Sequence, residues 1–253
     1  MMRSGNPALN ESIFRNAAST WTDSNSQVMT LNGVILKTGF LLALLTATAI
    51  FTWQQAMSGA AGIAGAMPWV IGGTIGGMVL AFVTIFKPTA APWSAPIYAA
   101  CEGLALGGIS AIYELQYGNG IVVQAVGLTF GTLAALLATY STGLIKPSEN
   151  FKLGIVAATG GIALLYMASF VLGFFGMPIP LIGSSGPWGI AFSGFVVVIA
   201  ALNLVLDFDF IEDGVRDAAP KYMEWYAGFG LLVTLVWLYL AMLRLLSKLQ
   251  SRD

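Results

Sequence analysis

The sequence contains no histidine and one cysteine, Cys101, and only 9% of its 253 residues are charged. The lack of histidine excludes His-based general-base catalysis, haem or zinc ligation through His, and the usual pH-sensing side chain. A single cysteine excludes an internal disulfide and a multi-cysteine metal cluster. Any response of this chain to pH must therefore come from its carboxylates.

The scarcity of charge points to a membrane rather than to water. Soluble domains carry about 25% charged residues, whereas here 57% of the residues are hydrophobic and the mean hydropathy is +0.80. Several runs reach the roughly 20 apolar residues that a bilayer requires. The net charge of −1 argues against nucleic acid as a partner. We predict an all-α polytopic membrane protein with the lipid bilayer as its main surroundings and no bound cofactor.

The hydrophobic pattern predicts seven transmembrane helices, and we expect the last of them to be packed centrally among the others. The membrane domain is expected over residues 31–247, between a polar N-terminal tail (1–30) and a short basic C-terminal tail (248–253). The expected spans are about 32–53, 69–86, 96–115, 121–140, 153–175, 188–207 and 222–243. In the second span, Gly72/Gly76 and Gly73/Gly77 have the small-xxx-small spacing that lets a neighbouring helix approach closely. Pro92 and Pro96 are expected in the turn before the third.

Basic residues predict the orientation. Lysine and arginine occur in the connections after spans two, four and six, at Lys87, Lys146, Lys152, Arg216 and Lys221. The positive-inside rule then places the N-terminus in the cytoplasm. The C-terminal residues Arg244, Lys248 and Arg252 disagree, because an odd number of spans would put them outside.

Asp207 is the main candidate functional residue. It follows Leu204, Val205 and Leu206 directly, where a carboxylate costs roughly 2.5–3.5 kcal/mol on the insertion scale and is by default a functional site. One interpretation is an inward-facing side chain that binds a proton or a cation. The alternative is that the span ends at Leu206 and the acids beyond it are solvated.

The other acids carry weaker signals. A solvated loop is favoured for Asp209, Glu212, Asp213 and Asp217, with Arg216 able to pair with Glu212. Glu102 lies two turns into the third span, and we leave open whether it is functional or a neutral carboxyl bonded to a Ser or Thr. Glu224 is expected at the membrane interface. No GxSxG surrounds Ser110 and no GxGD occurs, so we do not expect an enzyme.

Three segments carry a resemblance to a known family. ACEGLALGG around Glu102, LVLDFDFIED around Asp207 and LYLAMLRLL at the end of span seven occur in this order over about residues 30–247. In order and spacing they resemble the Bax inhibitor-1 (transmembrane Bax inhibitor motif) family, most closely its bacterial branch.

The resemblance implies a pH-dependent calcium leak across a bacterial plasma (inner) membrane. In characterised members two hydrogen-bonded aspartates on the last two helices sense protons. The first carries over onto Asp207; the second falls at Ala241, where relatives usually carry an acid. The family's early basic residue has no clear match, because Lys37 and Lys87 are both expected at the interface.

The leading hypothesis is accordingly a pH-sensitive calcium channel with Asp207 as proton sensor. Glu102, Asp209, Glu212 and Glu224 are supporting acids, and Asp207, with Glu102 as a weaker candidate, is an oxygen ligand for permeating calcium. Two alternatives remain open. One is a non-conducting regulatory protein that binds a membrane protease or quality-control partner, and the other is a proton-coupled secondary transporter that uses Glu102.

Overall fold

The described structure is helical and contains seven candidate membrane spans. It is a computed structural model that describes residues 28–58, 61–145, 147–177 and 179–251. Within these ranges, seven helices are long and apolar enough to cross a bilayer. The all-α, seven-span prediction is confirmed. Most of the predicted N-terminal tail, Lys146 and Arg252 lie outside the described residues.

The spanning helices are numbered α1–α7 in chain order. Their bounds are Leu31–Ser58 (α1), Gly62–Phe86 (α2), Ala91–Tyr117 (α3), Ile121–Ser141 (α4), Glu149–Phe174 (α5), Pro187–Arg216 (α6) and Met223–Gln250 (α7). A 3-10 turn at Pro88–Ala90 precedes α3, and a single helical turn at Pro180–Gly183 precedes α6.

Several helices exceed their predicted bounds. Helix α2 begins at Gly62, seven residues before the predicted start of its span at residue 69, in keeping with the high helix propensity of the alanines there. Pro92 and Pro96, expected in a turn, lie inside α3; Pro92 is in the first turn, where a missing N–H costs little. Helix α6 continues past the expected end at 207 to Arg216. Helix α7 extends to Gln250, so the predicted tail boundary at residue 248 falls inside it.

A tight turn joins α3 to α4. Gly118, Asn119 and Gly120 all have positive φ angles, of 66°, 55° and 68°. Glycine adopts this left-handed region without a steric penalty, and asparagine tolerates it better than most residues. The Tyr-Gly-Asn-Gly sequence therefore ends one span and starts the next within a few residues.

The chain divides into two compact units, which we call unit A and unit B. Among the described residues, unit A contains 28–116 and 210–233, and unit B contains 117–209 and 234–251. Helix α7 is the most enclosed of the seven spans, with 67% of its most apolar window buried compared with 11% for α5. This is the burial that a helix packed among other helices requires.

Glycines set the close packing of α1, α2 and α3 in unit A. A Cβ added at Gly73 would lie 2.5 Å from the carbonyl oxygen of Cys101, and one added at Gly103 would overlap the hydroxyl of Thr48. Nothing lies within 4 Å of a Cβ added at Gly72. The predicted close approach along the glycine face of α2 is thus confirmed, and it uses the Gly73/Gly77 pair.

Candidate functional site

Asp207 is fully enclosed. Its relative exposure is 0%, and the three apolar residues before it are equally buried. Helix α6 continues for more than two turns beyond it. The alternative in which the span ends at Leu206 and leaves this carboxylate in water is therefore wrong.

Asp209, two residues after Asp207 on α6, forms a partly buried ion pair in unit B. The ammonium of Lys152 is 2.5 Å from a carboxylate oxygen of Asp209 and 3.6 Å from one of Glu149. The Lys152 side chain is only 8% exposed and that of Asp209 is 23% exposed. Asp209 is consequently a paired helical residue rather than a solvated loop residue, and this end of α5 and α6 holds three acids and one described cation.

Asn203 fixes α6 against α5 one turn before Asp207. Its side-chain amide donates 2.8 Å hydrogen bonds to the hydroxyl of Thr159 and to the carbonyl of Ile199. At 2% exposure this amide satisfies its donors within the protein, as buried polar groups must. Asn203 and Asp207, four residues apart on α6, therefore form a buried polar face of this helix.

Ala241 lies at a different depth from Asp207. It belongs to a buried apolar cluster with Ile162, Val196 and Ile199. The hydrogen bond from Lys248 to the carbonyl of Gly189 agrees with this pairing, because Lys248 is seven residues after Ala241 on α7 and Gly189 is seven residues before Val196 on the antiparallel helix α6. Asp207 is eleven residues beyond Val196 on α6, a rise of roughly 16 Å. The geometry therefore does not support the expectation that position 241 supplies a partner carboxylate for Asp207.

The acids after Asp209 are mostly helical as well. Glu212 is exposed, and Asp213 pairs with Arg216 at 2.5 Å. Arg216 also lies 3.8 Å from Asp217, which follows the end of α6. The expectation of a loop holds for Asp217 and is wrong for Glu212 and Asp213, because the helix extends beyond its apolar section.

Glu224, expected at the interface, is the centre of a buried polar cluster in unit A. Its carboxylate has 0% exposure and pairs with Lys37, and with Lys221 at 2.8 Å. It also accepts 2.9 Å hydrogen bonds from the backbone N–H and the hydroxyl of Thr30. The structure adds to the interfacial prediction that the two charges pair with each other: the Glu224 carboxylate is enclosed, whereas the Lys37 side chain keeps 19% exposure.

The neighbouring residues leave space for the Glu224 carboxylate and pack around Lys37. A Cβ at Gly33 would overlap the Glu224 carboxylate, so α1 comes close enough only because residue 33 is glycine. The Lys37 ammonium lies 5.3 Å from the ring centre of Trp225, which also contacts Phe40 edge-on. Two features of the sequence could have indicated this ion pair: an acid in the first turn of α7 and a lysine in the first span.

The same cluster ties the start of α1 to the α6–α7 connection. The N–H of Met29 donates a hydrogen bond to the carbonyl of Ala219 at 2.7 Å, and Val28 and Pro220 form an isolated antiparallel β-bridge. Six spans separate these two segments, so a consistent topology requires them to be on the same side of the membrane. The structure meets that requirement.

Glu102 packs against the glycine face of α2. A Cβ added at Gly77 would lie 2.9 Å from a carboxylate oxygen of Glu102. Among the described residues it has no hydrogen bond to a Ser or Thr side chain, the partner expected for a purely structural carboxyl. The described residues also contain no group of three or more acidic, cysteine or histidine side chains placed to hold a metal ion.

Comparison with known proteins identifies the family. Neither curated proteins nor solved structures gave a match. The family model described as Bax inhibitor 1 like matches residues 6–251, nearly the whole chain. The sequence resemblance is thereby confirmed: this seven-span membrane protein belongs to the Bax inhibitor 1 like family.

Proposed function

We propose that the protein is a pH-sensitive channel through which calcium leaks down its gradient, with Asp207 as the proton-responsive side chain. The complete burial of this carboxylate in a spanning helix carries the proposal. Enclosing a carboxylate in this way is costly, and such residues in membrane helices typically mark ion or proton pathways. Protonation would remove the charge of Asp207 and change the hydrogen bonds that its carboxyl group can form.

The charge distribution at this end of unit B supports a cation as the permeant ion. Glu149 and Asp209 both contact Lys152, and Asp207 precedes Asp209 by two residues on α6. One lysine balances only part of the charge of these three acids. A concentration of negative charge between low-dielectric walls raises the local concentration of cations. Carboxylate and carbonyl oxygens are the ligands that calcium prefers. The sparse arrangement of acids favours brief contacts during passage over a resident ion.

The test is calcium flux into proteoliposomes between about pH 5 and 8. This range lies above the ordinary pKa of an aspartate, so a solvated carboxylate would not change its charge within it. The parent is compared with Asp207→Asn, which removes the charge with little change in volume. Glu212→Gln is the matched control, because it removes an exposed carboxylate from the same helix. We expect a pH-dependent leak in the parent and in Glu212→Gln, and a leak that no longer varies with pH in Asp207→Asn.

Identical flux and pH profiles for Asp207→Asn and the parent would remove Asp207 from the mechanism. The absence of flux in all three proteins at every pH would overturn the channel proposal itself. Uptake that saturates with a specific solute would indicate a secondary transporter instead.

A second candidate function is a non-conducting regulatory protein that binds a membrane protease or quality-control partner. The packing of Ala241 favours it, because this position supplies no acid and lies roughly 16 Å along α6 from Asp207. Ala241→Asp tests the point directly. We expect a less stable protein with an unchanged pH profile, since the new acid would enter an apolar cluster. A pH profile that differs from that of the parent would show that the two positions act together.

For location, we propose a bacterial plasma membrane with the N-terminus in the cytoplasm. Lys37, Lys221 and Arg216 are at the same side as the start of α1, which is the arrangement that the positive-inside rule associates with the cytoplasm. A reporter fused before residue 28 should be active only as a cytoplasmic reporter. Activity of a periplasmic reporter there would reverse the orientation.

A further inference from the structure

Two basic side chains near the end of α7, one buried and one partly buried, contact other residues of unit B. Lys248 is only 5% exposed, and its ammonium donates a 3.0 Å hydrogen bond to the carbonyl of Gly189. Arg244, one turn earlier, has its guanidinium 4.9 Å from the ring centre of Tyr166. The charges of these two residues conflict with the positive-inside pattern, so their presence and the burial of Lys248 require a physical reason.

Neither charge has an acidic partner among the described residues. The described acids of unit B are at the opposite end of its helices: Asp207 is eighteen residues after Gly189 on α6, a distance of roughly 27 Å. An ammonium has three N–H donors, and Lys248 uses one of them on a carbonyl that also accepts from the hydroxyl of Ser193 at 3.0 Å. Two of the three N–H donors of Lys248 therefore have no hydrogen-bond acceptor among the described residues.

The local electrostatics favour an anion. Gly189 lies in the first turn of α6, which begins at Pro187, and the N-terminal end of a helix carries partial positive charge and unsatisfied N–H groups. Lys248, Arg244 and this helix end therefore have the same sign. The negative end of α7 offsets part of that charge, but it gives Lys248 and Arg244 no strong acceptor. Burial of an ammonium without a counter-charge is strongly disfavoured.

The site is at the depth of lipid headgroups. Helix α6 begins here and α7 ends here. Trp188, next to Gly189, is 81% exposed, and tryptophans at the ends of spanning helices typically lie at the headgroup level. Phosphate is the anionic group that is abundant at that depth.

We propose that Arg244 and Lys248 form a binding site for a phosphate group, supplied either by an anionic membrane lipid or by free inorganic phosphate. Arg244 can donate two parallel hydrogen bonds to a phosphate, and Lys248 acts as a buried point charge beside it. The Tyr166 ring orients the guanidinium, and the carbonyl of Gly189 anchors the ammonium. This site is independent of the proposed channel, because its test measures binding and not flux.

The test uses the full chain in a neutral detergent at constant ionic strength. The melting temperature is followed during titration with short-chain phosphatidylglycerol, short-chain phosphatidylcholine or inorganic phosphate, and native mass spectrometry counts bound lipid. The variants are Lys248→Gln and Arg244→Gln. Lys87→Gln is the matched control, because it removes an exposed positive charge at the end of α2.

We expect an anionic ligand to raise the melting temperature of the parent and of Lys87→Gln. Each site variant should bind it about tenfold more weakly or worse, the loss of one charge-assisted contact. A shift with phosphatidylglycerol alone identifies a lipid headgroup as the source, and a shift with inorganic phosphate identifies the free ion.

The proposal fails if neither anion shifts the melting temperature of the parent more than phosphatidylcholine does. It also fails if Lys87→Gln weakens binding as much as the site variants do. If Lys248→Gln does not fold, Arg244→Gln and Lys248→Arg decide the question. The latter keeps the charge and should retain binding, whereas the former should lose it.

Discussion

The Glu224 cluster allows a quantitative prediction. Glu224→Gln keeps the shape of the side chain but removes the charge that neutralises Lys37, whose side chain is 19% exposed. The new amide would also direct N–H donors at an ammonium or at the N–H of Thr30. Breaking a buried ion pair by removing one partner costs about 3–5 kcal/mol. Because Lys37 keeps some access to water, we expect a loss near the lower end, about 3 kcal/mol of unfolding free energy.

Lys221 provides the matched control. It contacts the same carboxylate, but its side chain is 40% exposed, and exposed pairs contribute only about 0–1 kcal/mol. Lys221→Met should therefore be nearly neutral. Unfolding in mixed micelles of increasing SDS content would give both free energies. If Glu224→Gln and Lys221→Met differ by less than about 1 kcal/mol, the cluster is not a buried ion pair in the sense argued above.

Three further predictions use the same unfolding assay. Gly73→Ala should cost about 1–3 kcal/mol, because the new methyl meets the backbone of α3, whereas Gly72→Ala, with nothing within 4 Å, should cost nothing; equal effects would contradict the packing. Lys152→Met should cost about 1–3 kcal/mol by leaving Asp209 without its charged hydrogen bond, and adding Asp209→Asn should recover part of that loss. Burial raises the pKa of Tyr222 above its ordinary value of 10.0, so the unfolded state loses this proton first and stability should fall as the pH rises above 10.0. Tyr222→Phe should reduce that fall, and an unchanged pH dependence would refute it.

The sequence predicts the number and type of elements well because hydrophobic length alone determines them. Seven apolar runs become seven helices, and the glycine spacing of the second identifies its packing face. The ends are less predictable. Helix α6 runs on to Arg216, because buried apolar residues such as Phe210 and Ile211 alternate there with the ion-paired Asp209 and Asp213, a mixture that does not read as a membrane span.

The candidate site shows where sequence patterns are insufficient. Asp207 is identified from its apolar context, since that context is local in the chain. Lys37 and Glu224 are not, because each alone is indistinguishable from an interfacial charge and only the tertiary structure joins them. Position 241 shows another limit. The segment LYLAMLRLL resembles the family's last helix, yet Ala241 is eighteen residues into α7 while Asp207 is nine residues before the end of α6. Antiparallel helices joined by a short connection place such positions at different depths.

The Lys37–Glu224 pair also has a consequence for how the protein is made. Its two residues are 187 positions apart, and Lys37 in α1 is synthesised well before Glu224 in α7. At about 5–20 residues per second, roughly 10–40 s pass before Glu224 leaves the ribosome. During that time α1 carries a positive charge near its start with no carboxylate to pair with it. The first helix can therefore take its final position only after the last one has begun to insert, and a chain cut off before residue 223 should leave α1 poorly anchored and open to quality-control proteases.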